Sequence, residues 1–247
     1  MTLAPLDMSV PAVDGLVLKG TLAYPRKYAG TSFPLAVLAH QYPATRDSYA
    51  PLIADLLDSG IAALAFDERG HGASILSPGG PMVVDTPESP TMDAFGKAFM
   101  SSAGKVRFPH IDNDILRVVS WGSFQNFIDS SRLALVGASI GGSGVLLAAA
   151  NIPNLRAVAT LGAAGAPAFG SDAPDRIRTV LERLKAPGFL ASSREDPFQG
   201  AANVNAWSRG LTHIKARIVP GAAHAMAIYF DVRDELLRFL RQSLGVK

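Results

Sequence analysis

The chain has 247 residues, of which 48% are hydrophobic and 18% are charged. This composition supplies enough apolar surface for a sizeable core, fits one domain over residues 1–247, and excludes an intrinsically disordered chain. The 23 basic residues barely exceed the 21 acidic ones and nowhere occur three in a row, which argues against a nucleic-acid partner.

The predicted elements begin with a β-hairpin, because residues 10–13 and 16–23 flank an Asp-Gly dipeptide that favours a tight turn. After the hairpin, short apolar stretches of the buried-strand type alternate with stretches of helical pattern. We predict strands at 35–39, 62–66, 133–137, 157–161, 188–191 and 217–219. We predict helices at 48–59, 112–121, 139–150, 174–184, 201–209 and 231–243. This alternation predicts an α/β fold with a mostly parallel sheet of about eight strands and helices on both faces.

One long connection interrupts the alternation. Residues 75–109 are rich in proline and glycine, and connections of this length in compact domains are usually functional or mobile. Within the connection, Met92, Phe95 and Phe99 fall at helical spacing. Two interpretations stay open, namely a surface helix packed on the body and a flap over a pocket.

Several classes of protein are disfavoured by what the sequence lacks. The chain has no cysteine, and its five histidines form neither an HExxH motif nor a close pair, so we expect no disulfide and no metal. No glycine motif predicts a nucleotide cofactor. The N-terminal residues lack the basic and apolar segments of a signal peptide, so we expect a cytoplasmic protein. Residues 133–155 are uncharged, but their glycines favour a strand, a tight turn and a buried helix over a membrane span.

A Gly-x-Ser-x-Gly pentapeptide carries the strongest chemical signal. The sequence GASIG at 137–141 follows the predicted strand 133–137 and opens a predicted helix. In this context the serine lies on a sharp strand-to-helix turn that presents its hydroxyl at the carboxyl end of the sheet. The helix N-terminus favours negative charge there. Ser139 is therefore the candidate nucleophile, and the alternative is an ordinary glycine-rich turn.

A serine nucleophile requires a histidine base and an acid that orients the histidine. His224 follows the last predicted strand and should emerge at the same sheet edge as Ser139, the alternative being a solvent-exposed loop histidine. Asp196 follows the strand 188–191 and is the candidate acid. The alternatives for the acid are Glu195, Asp172 and Asp175.

Further segments resemble the α/β-hydrolase fold family, and the resemblance covers nearly the whole chain. Residues 38–42 (LAHQY) resemble the family's His-Gly-aromatic segment, and residues 67–74 (DERGHGAS) resemble its D-x-R-G-x-G-x-S loop. Residues 220–224 (PGAAH) resemble the loop of its catalytic histidine. The resemblance implies an oxyanion hole formed by the backbone N–H groups of Tyr42 and Ile140.

The resemblance is closest to compact, dienelactone hydrolase-like esterases, because the connection after the strand 157–161 is too short for a large cap domain. It implies that Ser139, His224 and Asp196 cleave carboxylic esters with small to medium acyl groups through an acyl-enzyme. Gln41 stands where the family usually has glycine. The residues expected to bind substrate are Gln41, Met226, Phe95 and Phe99.

Alternative functions stay open. The same triad serves serine aminopeptidases and lactone or thioester hydrolases, because the fold and the triad do not fix the substrate. A non-catalytic protein that keeps the fold and binds a small ligand is a further alternative, although the complete set of Ser, Asp and His argues against it. The expected partner is a small-molecule ester or acyl compound, with no membrane partner, and the oligomeric state is left open.

Overall fold

A computed structural model describes residues 5–25 and 32–246. The strands are β1 (Leu6–Pro11), β2 (Val17–Ala23), β3 (Phe33–Ala39), β4 (Ala62–Phe66), β5 (Ile128–Ala138), β6 (Leu155–Leu161), β7 (Gly188–Ser193) and β8 (Ile214–Val219). The α-helices are α1 (Ala50–Asp58), α2 (Met92–Lys105), α3 (Ile111–Ser123), α4 (Ile140–Ala148), α5 (Ala173–Arg183), α6 (Gly200–Ser208) and α7 (Tyr229–Ser243). Residues 1–4, 26–31 and 247 lie outside the described residues. The predicted domain boundaries, 1–247, and the prediction about the N-terminal segment both fall partly on them.

The strands form one sheet in the order β1-β2-β4-β3-β5-β6-β7-β8. β1 pairs with β2 and β2 with β4 in antiparallel register, whereas the other neighbours pair in parallel. Every residue of β3, β4 and β7 is buried, as expected for parallel strands covered on both faces. The predicted eight-stranded, mostly parallel sheet with an N-terminal antiparallel hairpin is therefore confirmed.

Helices cover both faces of this sheet. On one face, α1 and α7 contribute Leu52, Leu56, Leu236 and Leu240, which are all fully buried. On the other face, apolar side chains of α3, α4, α5 and α6 form a second core. Every residue of α4 is buried, which explains why the segment 133–155 has no charged residue. Within the described residues, no helix combines the length and the apolar character needed to cross a membrane.

The long connection at 75–109 contains helix α2. The helix begins after Thr91, whose side chain accepts a hydrogen bond from the N–H of Ala94 at 3.3 Å. Ala98, Ser102 and Ala103 of α2 are buried, and the half-buried Phe95 and Phe99 pack against the core beside them. The helical spacing seen in the sequence is thus accounted for, and a role of this segment as a flap stays a prediction.

Three strands begin three or more residues earlier than the sequence pattern predicted, the first of them being β1, which begins at Leu6 instead of residue 10. β5 begins at Ile128 instead of residue 133, because its first residues extend the pairing with β3. β8 begins at Ile214 instead of residue 217. As the edge strand, β8 carries Lys215 and Arg217, which form ion pairs with Glu235 of α7 at 2.7 and 2.9 Å. These charged residues break the apolar run on which the prediction relied.

A buried arginine joins distant parts of the chain. The side chain of Arg69, in the loop after β4, has no exposed surface and donates to both carboxylate oxygens of Asp114 in α3, at 2.6 and 3.1 Å. It also donates to the carbonyl of Val106 at 3.0 Å and to Asp14, in the β1–β2 turn, at 3.1 Å. Arg69 therefore fastens the hairpin, the loop after β4 and the start of α3 to one another.

We expect Arg69→Leu to lower the free energy of unfolding by about 3–5 kcal/mol, because it leaves the buried Asp114 carboxylate without its partner. The matched control is Arg107→Leu, since the 57% exposed Arg107 contacts the same Asp14 at 3.4 Å. An exposed pair of this kind contributes less than about 1 kcal/mol. Urea unfolding of both variants measures the difference, and equal losses would contradict the role given to Arg69.

Candidate active site

The turn between β5 and α4 presents Ser139 at the carboxyl edge of the sheet. The backbone of Ser139 has a φ of 51°, in the left-handed region that non-glycine residues rarely adopt. Close packing surrounds the turn, because a Cβ on Gly141 would lie 2.3 Å from the Ala39 carbonyl oxygen. Likewise, a Cβ on Gly137 would lie 2.4 Å from the carbonyl oxygen of Gly141. Glycine at both positions is therefore required by space, as the GASIG pattern indicated.

Backbone hydrogen bonds fasten this strained turn on both sides. The N–H of Ser139 donates to the carbonyl of Leu161 in β6 at 3.1 Å. The carbonyl of Ser139 accepts from the N–H groups of Ser143 and Ala164, each at 3.1 Å. The hydroxyl of Ser143 in turn donates to the Ala164 carbonyl at 2.8 Å. These bonds involve the backbone of Ser139 and leave its hydroxyl available to another partner.

The structure brings the three candidate catalytic side chains together. His224 Nε2 lies 2.9 Å from Ser139 Oγ, and His224 Nδ1 lies 2.8 Å from Asp196 Oδ2. Because a carboxylate only accepts, the Nδ1–H donates to Asp196 and Nε2 accepts from the serine hydroxyl. Of the alternatives for the acid, Glu195, Asp172 and Asp175 are all exposed to solvent. The arrangement has the geometry of a Ser-His-Asp triad.

Asp196 is held as a carboxylate by a shell of donors. Its side chain is fully buried and accepts from the N–H of Phe198 at 2.8 Å and from the hydroxyl of Ser192 at 3.0 Å. Burial alone raises the pKa of Asp196, but the hydrogen bonds from His224, Phe198 and Ser192 outweigh it and leave the pKa below its ordinary value. Asp196 is therefore ionised at neutral pH and suited to orient the imidazole.

The buried histidine His40 fixes the segment that carries Tyr42. His40 Nδ1–H donates to the carbonyl of Gln41, and its Nε2 accepts from the N–H of Glu68, both at 2.9 Å. This pattern needs a neutral ring, and burial lowers the pKa of His40 to about 4. Since a trans peptide group is planar, the Tyr42 N–H points away from the held Gln41 carbonyl. Tyr42 and Ser139 line the same cavity.

Ile140 is the first residue of α4, where backbone N–H groups have no partner within the helix. Its N–H and that of Tyr42 are the backbone donors expected to form an oxyanion hole beside Ser139. That role stays a prediction, which the placement of both residues next to the nucleophile supports.

A cavity of about 550 Å³ opens beside Ser139. Aromatic rings form much of its wall, namely those of Tyr42, Phe95, Phe99 and Phe198. The ring of Phe198 lies 4.5 Å from that of His224 and 4.8 Å from that of Phe95, between centroids. Among the described residues that line this cavity, none carries an acidic or basic side chain. The cavity suits an uncharged, apolar group.

The predicted substrate-binding residues divide into two groups. Phe95 and Phe99 of α2 line the cavity, whereas Gln41 and Met226 do not. Met226 lies in the short turn before α7 and packs against the core on the α1 and α7 face of the sheet. The side-chain oxygen of Gln41 is buried without a hydrogen-bond partner. Neither residue is among those that line the cavity, and contact of Gln41 and Met226 with substrate stays a prediction.

Sequence reasoning missed Phe198 and Asn203. Phe198 lies two residues after Asp196, in an otherwise polar turn. A large apolar residue in such a turn was the one signal in the sequence that could have pointed to it. Asn203 in α6 reaches the cavity and donates to the carbonyl of Ala163 at 3.0 Å. No pattern in the sequence marks Asn203, because a polar residue on a surface helix is unremarkable before the fold is known.

No protein-family model matches the chain. An uncharacterized 31.7 kDa protein in the traX-finO intergenic region of Escherichia coli is 28% identical over 126 residues, which cover 51% of this chain and 35% of that protein. The match thus spans well under two thirds of that relative's length.

Solved structures match over almost the whole chain. The α/β hydrolase GrgF from Penicillium sp. sh18 has a TM-score of 0.70 at 17% identity, covering 98% of this chain and all of that one. A dienelactone hydrolase from Anabaena variabilis ATCC 29413 has a TM-score of 0.67 at 19% identity, covering 97% and 99%. The Pyrococcus furiosus esterase Pf2001 has a TM-score of 0.66 at 17% identity, covering 98% and 94%.

The chain has the α/β-hydrolase fold. The resemblance found in the sequence is confirmed at the level of the fold, and the matched structures include a dienelactone hydrolase and an esterase. At these identities the comparison concerns the fold alone, and the activity must be argued from the site.

We expect Gly141→Ala to destabilise the protein by about 1–3 kcal/mol, because its Cβ would overlap the backbone of β3. The matched control is Gly96→Ala in α2, where a Cβ would meet nothing within 4 Å. Alanine is the better helix former there and should stabilise by up to about 1 kcal/mol. Urea unfolding measures the change in the free energy of unfolding for both variants. A Gly141→Ala variant as stable as the wild type would contradict the packing described.

Proposed function

We propose that the protein is a serine hydrolase that cleaves carboxylic esters with small to medium acyl groups. The observation that carries the proposal is the hydrogen-bonded chain from Asp196 through His224 to Ser139, with distances of 2.8 and 2.9 Å, at the wall of an apolar cavity. A non-catalytic binding protein of the same fold would not need all three groups in this geometry.

In the proposed mechanism, Ser139 Oγ attacks the ester carbonyl while His224 Nε2 takes the hydroxyl proton. Asp196 holds the imidazole orientation and stabilises the imidazolium. The carbonyl oxygen becomes an oxyanion that accepts from the N–H groups of Tyr42 and Ile140, and one such donor contributes about 3–4 kcal/mol to lowering the barrier. His224 then protonates the leaving alcohol, which departs and leaves an acyl-serine.

Hydrolysis of the acyl-serine completes the cycle. Water enters the position of the alcohol and gives its proton to His224 Nε2 as it attacks the acyl carbon. The second tetrahedral intermediate collapses, the carboxylic acid leaves, and the proton returns from His224 to Ser139 Oγ. The ring of Phe198 packs on the imidazole, so it shields one face of the base from bulk water.

The cavity lining favours neutral esters over aminoacyl substrates. A serine aminopeptidase must bind a substrate ammonium group, for which a carboxylate is the natural partner. The described lining residues contain no carboxylate. Lactone hydrolysis on the same triad is the second candidate, because a lactone is an uncharged cyclic ester that suits the same apolar cavity. A cytoplasmic location stays a prediction that cell fractionation can test.

We expect a fluorophosphonate to add once to the wild-type protein, because an activated Ser139 displaces fluoride and the oxyanion donors bind the phosphoryl oxygen. Intact-mass spectrometry measures the adduct. Ser139→Ala should give no adduct and should lower ester turnover by several orders of magnitude. An adduct that persists in Ser139→Ala would assign the nucleophile elsewhere, and a folded wild-type protein without any adduct would favour the binding-protein alternative.

We expect 4-nitrophenyl butyrate and octanoate to be cleaved with a higher kcat/KM than the palmitate, because the aromatic rings of Phe95, Phe99 and Phe198 wall the cavity beside Ser139 and should stop a long extended acyl chain. Phe99→Ala should shift the optimum toward longer chains by enlarging the cavity. The matched control is Met100→Ala on the same helix, whose side chain is 65% exposed. A palmitate optimum in the wild type would refute the acyl-size assignment.

A further inference from the structure

The side chain of Tyr42 connects the candidate oxyanion segment to helix α2. Its ring makes edge contacts with Phe95 and Phe99, at centroid distances of 5.3 and 5.4 Å. Its hydroxyl donates to the backbone carbonyl of Asp85, which lies before α2, at 2.5 Å. Tyr42 is thus a cavity wall through its ring, a candidate oxyanion donor through its N–H, and an anchor through its hydroxyl.

Asp85 is the point where these contacts meet. Its N–H donates to the buried hydroxyl oxygen of Ser102 in α2 at 2.8 Å. Its carboxylate accepts from the hydroxyl of Ser101 at 2.5 Å and from the ammonium group of Lys105 at 2.8 Å. The bonds from Lys105 and Ser101 also hold the pKa of Asp85 below its ordinary value, so the carboxylate is charged at neutral pH. One residue therefore binds three side chains of α2 and, through its carbonyl, Tyr42.

The other contacts of helix α2 with the body are apolar. Its buried residues, Ala98, Ser102 and Ala103, are small, so that the apolar area they bury gives little stabilisation. Phe95 and Phe99 pack against the core and meet the rings of Phe198 and Phe108. Such contacts are not directional, whereas the bonds at Asp85 are directional and add a fixed attachment to the helix that carries both rings.

We propose that Asp85 is a positioning residue that locks α2 against Tyr42 and thereby sets the acyl wall formed by Phe95 and Phe99. Asp85 does not line the cavity beside Ser139, and it acts through the helix and the tyrosine. This role rests on the proposed ester hydrolysis, because the wall matters only for substrates whose acyl group reaches it. Short acyl groups do not need the wall.

The test compares two esters in Asp85→Ala, namely 4-nitrophenyl acetate and 4-nitrophenyl octanoate, with active sites counted by fluorophosphonate. KM for the octanoate should rise by up to about fivefold, because the Asp85 carboxylate loses its contacts with Ser101 and Lys105. For the acetate, both kcat and KM should stay near the wild-type values. Asp85→Asn keeps one acceptor oxygen, for either Ser101 or Lys105, and should restore part of the octanoate affinity.

The matched control is Lys97→Ala, which breaks the exposed Lys97–Asp93 ion pair on the same helix without touching Tyr42. It should leave both esters unaffected. Tyr42→Phe removes the hydrogen bond from the Tyr42 hydroxyl to the Asp85 carbonyl. Its effect on the KM for the octanoate should not add to that of Asp85→Ala, because both variants weaken the same attachment of α2. An equal loss of kcat/KM for the two esters in Asp85→Ala would overturn the proposal, and so would an unchanged KM for the octanoate.

A readout without turnover separates this proposal from the proposed function. Amide hydrogen exchange in residues 92–105 should quicken in Asp85→Ala and in Tyr42→Phe but not in Lys97→Ala. If the wild type cleaved neither ester, the proposed function would fail, while the exchange data would still decide whether Asp85 locks the helix. Unchanged exchange in Asp85→Ala would reject the lock regardless of activity.

Discussion

The strained turn at Ser139 is the constraint on which the rest of the site depends. A non-glycine residue at a φ of 51° costs about 1–3 kcal/mol, so the surrounding structure must hold it. It is held by backbone bonds to β6 and to the segment after it, and by glycines that let α4 approach β3. The backbone conformation of Ser139 therefore depends on the positions of β3, β6 and the fully buried helix α4. Relaxing any of them would move the hydroxyl away from the histidine.

The parallel sheet then supplies the partners of Ser139 at one edge. Asp196 follows β7 and His224 follows β8, and the carboxyl ends of parallel strands meet at the same side of a sheet. The two loops are also bound to each other, because the hydroxyl of Ser193 donates to the carbonyl of Ala223 and the N–H of Glu195 donates to that of Gly221. Asp196 and His224 are therefore positioned as one unit, and the order of the strands brings that unit to Ser139.

The sequence was most informative where a local rule and the topology agree. The GASIG turn, Asp196 and His224 were predicted because each follows an apolar strand, and the structure brings their side chains into contact. Met226 was expected in the pocket from its nearness to His224, but it lies in a short helical turn and packs against the core on the α1 and α7 face of the sheet. Asn203 and Phe198 reach the cavity only through the packing of α6 and of the β7 loop, which no local pattern encodes. The charged residues of β8 likewise concealed the length of an edge strand.

The position of α2 in the chain separates the groups proposed to perform the chemistry from part of the cavity wall. Those groups follow β5, β7 and β8, whereas two of the aromatic walls come from a helix between β4 and α3. No strand pair of the described sheet includes a residue of α2. A change confined to α2 therefore alters the wall and not the strand register, and the ends of this helix offer a place at which segments from other proteins of this fold can be grafted.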